Sequence, residues 1–213
     1  GRGNLSFTSL NLVRLALMTQ SLDRMFEAVT TYTTLICEQL LERYHYQANR
    51  TADEFTFLYR HIWRGGETLA GSDRVEPVLR QGTLSVGFIG LAEALIVLTG
   101  QHHGESELAH GIGQALIRLI RTIADQYGEK TGLNFSVLAT PAEGLSGKFT
   151  VADKEQFGVI ERVTDKPYYT NSFHLPVGTN VTIREKIRLE APFHALCNGG
   201  HITYVETDGA LAE

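Results

Sequence analysis

The residues with the clearest chemistry lie in the passage Leu138-Ala-Thr-Pro-Ala-Glu-Gly-Leu-Ser-Gly147. An apolar run enters it, and Gly144 and Gly147 let backbone N–H groups come close to a ligand. Ligands of α/β folds sit at the carboxyl ends of strands, and free amides placed there suit a phosphate. Thr140 and Ser146 would add hydroxyl donors. The Gly-Lys-Ser/Thr ending of a Walker loop is missing, so this is not a P-loop. The same glycines would equally serve a tight turn that binds nothing. A second set is Asn4, Ser6 and Thr8, which alternate with Leu5 and Phe7 as on a strand with one polar face. Such a face lines a barrel lumen or looks into solvent.

Three further groups read differently. His194, Cys197 and His201 are metal-ligand types, but their spacing is not that of a zinc module and the chain has no CxxC pair. No metal site is assigned, and Gly199-Gly200 is read as permitting close backbone packing. Residues 166–176 interleave aromatic and polar side chains, which line a pocket or pack a long connection. Ser172 and His174 have no identifiable orienting acid and are not read as a nucleophile pair. Cys37, beside Ile36 and Leu40 on an apolar helix face, is read as a core thiol. His102 and His103 are read as solvated loop residues.

The elements that position these groups alternate in type. Residues 4–12 open as a strand. Ser21 caps a long helix reaching about residue 47, and Thr51 with Glu54 forms a capping box for another. Thr83–Ile89 is an apolar run typical of a buried strand, and Gly90 turns it into a helix over residues 91–98. Ser106 begins a long helix with Leu108, Ile112, Leu116, Leu119, Ile123 and Tyr127 on its apolar face, and Gly132 ends it. Residues 133–138 form the next strand. Residues 140–147 are a Gly-bearing turn, and Thr150 caps a short helix over 151–157. A helix begins at Thr182, which Pro192 should end or kink. Residues 201–206 make a final strand. Strand, helix, helix, strand is the grammar of a parallel α/β sheet or barrel.

Composition bounds the function. The 213 residues carry a net charge of -5 and are 43% hydrophobic, an ordinary globular balance. The acidic balance argues against nucleic-acid binding, which wants a basic face. Two cysteines point to reduced thiols and a cytoplasmic setting. No run approaches the roughly 20 apolar residues that span a bilayer. The chain starts on Gly1 without an initiator Met and closes on Glu213, so a piece of a longer protein is expected.

Taken together, GRGNLSFTSLNLVRLAL, SVGFIGLAEAL, LNFSVLATPAEGLSGKFTVADKEQFG, VTDKPYYTNSFHLPV and EAPFHALCNGGHITYVETDG resemble the anaerobic, glycyl-radical (class III) ribonucleotide reductases from first residue to last. The resemblance implies part of a ten-stranded α/β barrel, spanning residues 1–213 as a partial catalytic domain. It implies reduction of ribonucleoside triphosphates to 2′-deoxy products, with formate as electron donor. It also implies a homodimeric parent with zinc and a glycyl radical, and a separate activase using an iron–sulfur cluster and S-adenosylmethionine. The thiyl cysteine would lie upstream of GRGN, and the radical glycine and zinc cysteines downstream of HITYVETDG, so this stretch by itself is expected to be inactive. An ATP-sensing domain found in many members is likewise expected outside this stretch. By the same resemblance Asn4 approaches the ribose hydroxyls. Thr140, Ala142, Glu143, Gly144, Leu145 and Ser146 then cradle the phosphates, chiefly through backbone amides. A formate-acetyltransferase-like lyase on the same barrel, or a noncatalytic nucleotide-binding module, are the alternatives.

Overall fold

A computed structural model describes residues 3–205 of the chain. Three parallel strands form one sheet in the order β1 (Asn4–Asn11), β2 (Thr83–Ile89), β3 (Asn134–Leu138). Parallel neighbours need crossovers, and helices supply them. α1 (Leu12–Thr19) and α2 (Leu22–Ala48) lead from β1 toward β2, followed by a short helical stretch containing α3 (Thr56–His61) and α4 (Glu76–Leu79). α5 (Leu91–Thr99) and α6 (Glu107–Thr131) join β2 to β3. β2 is central and buried along nearly its whole length, which is why its sequence is almost continuously apolar. The α/β expectation therefore holds, and the ends of β2 fall where they were expected.

Register assigns the two faces. Ser9 pairs with Gly87, Asn11 with Ile89 and Ser85 with Ser136, so these residues share one face. Leu10, Leu84, Val86, Phe88, Phe135 and Val137 point the other way, into the main core with residues such as Met25, Leu40, Leu116 and Ile120 from α2 and α6. The inner face mixes Ser9, Asn11, Ser85 and Ser136 with Phe7 and Ile89, whereas the helix face of β2 and β3 is apolar. The expected single face of Asn4, Ser6 and Thr8 is split by a register shift between Asn4 and Ser6. One inserted residue moves every later side chain to the opposite face. Ser6 and Thr8 turn toward α2 and accept from Arg43 Nη1 at 3.4 and 3.2 Å. Asn4 stays on the inner face beside Ser85.

α6 starts and stops as expected. Ser106 Oγ accepts from Ala109 N, and Gly132 adopts a φ of 68°. Its buried stripe, however, runs through Ala109, Gly113, Leu116 and Ile120, while Leu108 is 70% exposed. The Thr51–Glu54 capping box is present but opens a 3-10 turn, Ala52–Phe55, ahead of α3.

The passage read as a turn is a helix. α7 runs Glu143–Phe157 without a break, and Thr150 lies inside it with Oγ1 donating to Ser146 O at 2.9 Å. Two glycines disfavour a helix, but Leu145, Phe149 and Phe157 pack on Val13, Leu17, Ile89 and Tyr169 in a small second core. Tertiary packing overrides local propensity there.

α8 (Ile183–His194) is capped by Thr182 and ends two residues after Pro192, whose missing N–H and ring work against continuing it. The final strand does not form over residues 201–205, and Glu206 lies outside the described residues. Gly200 pairs with Leu138, the last residue of β3, so the chain beyond it has run past its partner. Instead, Asn198 to Gly200 close the β3 edge. Val137 N donates to Asn198 Oδ1, Gly199 N to Val137 O and Ala139 N to Gly200 O, at 2.8–3.0 Å. Among the described residues no helix is long and apolar enough to cross a membrane.

Candidate functional site

Because the strands are parallel, their carboxyl ends form one rim. At this rim Ser9 Oγ lies 3.1 Å from Thr140 Oγ1, joining β1 to the exit of β3. Gly87 of β2 sits beneath the pair. A Cβ there would meet Thr140 Oγ1 at 2.0 Å and Ser9 Oγ at 2.5 Å, so only glycine lets Thr140 cross.

From Thr140 the chain enters α7, with Ala142 as its N-cap and Ala142 O accepting from Leu145 N and Ser146 N. The first-turn amides of Glu143 and Gly144 have no carbonyl four residues back within the helix, and they carry the positive end of its dipole. Leu145 is half-buried, and Ser146 is buried beneath the turn. Gly144 has a helical φ, and a Cβ added to it would meet nothing within 4 Å. Its lack of a side chain serves no internal packing, and it leaves the helix end open to close approach.

Farther along α7, Asp153 is wholly buried. Asn11 Nδ2 and Tyr169 OH donate to its Oδ2 at 2.8 and 2.9 Å, and Arg14 Nε to its Oδ1 at 2.5 Å. Burial, then the Asp153 carboxylate, push the Tyr169 hydroxyl well above its usual value. Sequence reading missed this network. Its members are far apart in the chain, and the one local hint is Asn11 placed to cap α1, where Oδ1 accepts from Arg14 N.

Residues 166–176, left open between a pocket wall and a packed connection, are packed. They cross the carboxyl end of β2, where Asn171 bridges to Ile89 and Gly90 N donates to Thr170 O, with Tyr169 and Phe173 buried. Glu93 of α5 holds them through Oε1, which accepts from Thr170 N and Oγ1 at 2.9 and 2.6 Å. Burial raises the Glu93 carboxyl above the usual range. Ser172 is buried in a left-handed backbone conformation, with φ of 44°. His174 Nδ1 faces Glu190 at 3.4 Å, and that carboxylate also takes Lys186 Nζ and Leu175 N.

His102 and His103 are buried, not solvated. The loop folds inward because His103 Nε2 reaches Phe173 O at 2.7 Å and His102 Nδ1 accepts from Gly104 N. Cys37 is a core thiol as expected, pushed up to about 12 by burial. The His194 and His201 rings stack at 3.9 Å, and burial holds the Cys197 thiol at about 12. Among the described residues no group of three or more His, Cys, Asp or Glu side chains is placed to hold a metal ion.

Asn4 lies at the other end of the inner face. Its amide donates to Ser85 Oγ and Thr83 O at 3.2 Å, and Ser85 Oγ is 2.9 Å from Ser136 Oγ. Asn4, Ser85 and Ser136 open on a cavity of about 580 Å³ that Asn198 and Gly199 also line. Asn4 is level with Thr83, whereas Ser9, under Thr140, is level with Gly87. The two expected binding points are thus separated by four strand positions, roughly 13 Å.

Residues 1–213, the whole chain, match the family model described as anaerobic ribonucleoside-triphosphate reductase. The chain belongs to this family. The Salmonella typhimurium anaerobic ribonucleoside-triphosphate reductase is 37% identical over 210 residues, covering 97% of this chain and 29% of the relative. The enzyme of bacteriophage T4 is 36% identical over 213 residues, covering 97% of this chain and 33% of its own length. The chain thus spans about a third of the reductases it matches. Its fold is shared by the crystal structure of the Thermotoga maritima anaerobic ribonucleotide reductase with citrate in the active site. There the TM-score is 0.76 at 18% identity, over 93% of this chain and 34% of that one. The same enzyme in complex with dATP and CTP gives 0.73 at 18% identity, over 93% and 31%. The family match places the chain with the reductase family and not with the lyases of the alternative.

Proposed function

We propose that residues 1–213 form the substrate-phosphate side of the catalytic barrel of an anaerobic ribonucleoside-triphosphate reductase, which converts ribonucleoside triphosphates to 2′-deoxy products. The phosphates sit at the start of α7. The amides of Ala142, Glu143 and Gly144 provide the donors, with Thr140 beside them, Leu145 in the same turn and Ser146 beneath. The observation that carries this reading is Gly144. It is a helical glycine with no packing reason to be one, at a helix end held on the rim of a parallel sheet.

Asn4 contacts the ribose in this reading. The 13 Å separation from Thr140 then requires the nucleotide to lie along the strands, sugar inward and phosphates at the rim. The polar inner surface of Ser85 and Ser136 suits a hydroxyl-rich sugar. The glycyl radical, the zinc site, formate as reductant, the S-adenosylmethionine activase and the homodimer belong, in this reading, to parts of the reductase outside this stretch, which spans about a third of the relatives it matches. What these residues do is bind and orient. The test is substrate affinity in the full-length enzyme carrying Gly144→Val. Weakened triphosphate binding with an intact fold supports the reading, and unchanged binding removes it.

A further inference from the structure

α7 meets the inner face of the sheet through two residues of β1. Thr140, just before the helix, bonds Ser9, and Asp153, within it, bonds Asn11. Ser9 and Asn11 are two apart on one strand and share a face, about 7 Å from one another. Asp153 lies ten residues into the helix, so it stands roughly 15 Å from the first helical residue. A helix is a stiff rod. Two fixing points on one strand therefore set both where α7 begins and the direction in which its first turn aims.

The second fixing point is the stronger. The Asp153 side chain has no exposure, and its two oxygens take three donors from three parts of the chain. Asn11 ends β1, Arg14 lies in α1, and Tyr169 belongs to the connection crossing the end of β2. Charge-assisted bonds of this kind are among the strongest a side chain makes. The apolar contact beneath α7 is a small cluster separate from the main core. Asn11 needs no contact with α7 for its other role, since it caps α1 with its other atom, whereas the Tyr169 ring packs on α7 and its hydroxyl adds the bond to Asp153.

We propose that Asp153 is a positioning residue for substrate phosphate. By tying α7 to Asn11, Arg14 and Tyr169 it fixes the angle at which the Glu143 and Gly144 amides meet the triphosphate. This rests on the phosphate reading of α7. Asp153 touches no substrate and acts through the helix it anchors.

The experiment uses the full-length reductase and compares wild type with Asp153→Asn, Tyr169→Phe and Gly144→Val. Three quantities are read: affinity for a ribonucleoside triphosphate, affinity for the matching nucleoside without phosphates, and the unfolding temperature. Asp153→Asn is expected to weaken triphosphate binding about tenfold, and Tyr169→Phe by roughly two- to fivefold. Nucleoside binding stays as in wild type for both, which a general loosening of the fold would not produce. Weakening by Gly144→Val with no effect of folded Asp153→Asn or Tyr169→Phe overturns the role of Asp153 and leaves the phosphate reading standing. An unchanged Gly144→Val overturns both. If Asp153→Asn does not fold, Tyr169→Phe, which keeps the ring and its packing, decides alone.

Discussion

Gly87 and Thr140 are fitted to one another: the missing side chain of the first is the space that the hydroxyl of the second occupies, with 2.0 Å left for any Cβ. Thr140 thereby crosses the inner face and reaches Ser9. Gly87→Ala should force Thr140 off this position. Overpacking of this kind costs about 1–3 kcal/mol. Denaturant unfolding should show that loss, together with weaker triphosphate binding. Equal stability and equal affinity would mean that Thr140 moves freely and takes no part in placing α7.

Gly144 should separate stability from binding. Alanine is the better helix former and meets no neighbour here. Gly144→Ala is therefore expected to stabilise by up to about 1 kcal/mol. The same methyl sits where a phosphate would approach, so affinity should fall while the melting temperature rises. A rise in both would show that nothing approaches this helix end closely.

His103 should make the fold acid-sensitive. Burial is the largest cause of its shift and outweighs the Phe173 carbonyl, lowering it from 6.5 to about 3. The folded imidazole stays neutral while the unfolded chain takes up a proton. Its contribution is thus complete above pH 6.5 and is lost as pH falls toward 3, by about 1.4 kcal/mol per pH unit. His103→Gln keeps a donor for Phe173 O but does not titrate. Unfolding free energy measured from pH 7 to pH 4 should fall less steeply in this variant. Equal slopes would place the acid sensitivity elsewhere.

Much of the scaffold was legible because local signals are unambiguous. The apolar run of β2, the Gly90 turn, and Ser106 with Gly132 around α6 each state their element within a few residues. The failures share a cause, which is that distant contacts decided the outcome. Nothing near Leu5 announces the bulge that turns Ser6 and Thr8 toward Arg43. The start of α7 looks like a turn, since Pro141, Gly144 and Gly147 all disfavour a helix, and only Val13, Leu17 and Tyr169 make it one. His102 and His103 are polar in a loop, and their burial depends on Phe173, seventy residues away. Of the candidate site, the passage proposed for phosphate and Asn4 were visible as motifs, whereas Asp153 was not, because its partners lie 139 and 142 positions away in α1 and β1 and 16 away at Tyr169.

Asn4 should matter for the sugar and not for the phosphates. Asn4→Ala in the full-length enzyme is expected to reduce the preference for ribonucleotide over deoxynucleotide, by the loss of a hydrogen bond of about 0.5–1.5 kcal/mol. Competitive binding of the two nucleotides measures this. An unchanged preference would leave Asn4 as a strand-end residue that only ties Ser85 to Thr83.

In the proposed function, substrate triphosphate rests on the first turn of α7. This placement is tested most directly by measuring triphosphate affinity beside glycyl-radical yield, by electron paramagnetic resonance, in full-length Gly144→Val. A Cβ at this position meets nothing within 4 Å, so the fold and the radical should survive. Affinity should drop by about tenfold or more, because a β-branched side chain stands between the amides and the phosphate. Wild-type affinity in a folded, radical-bearing Gly144→Val enzyme would contradict the account.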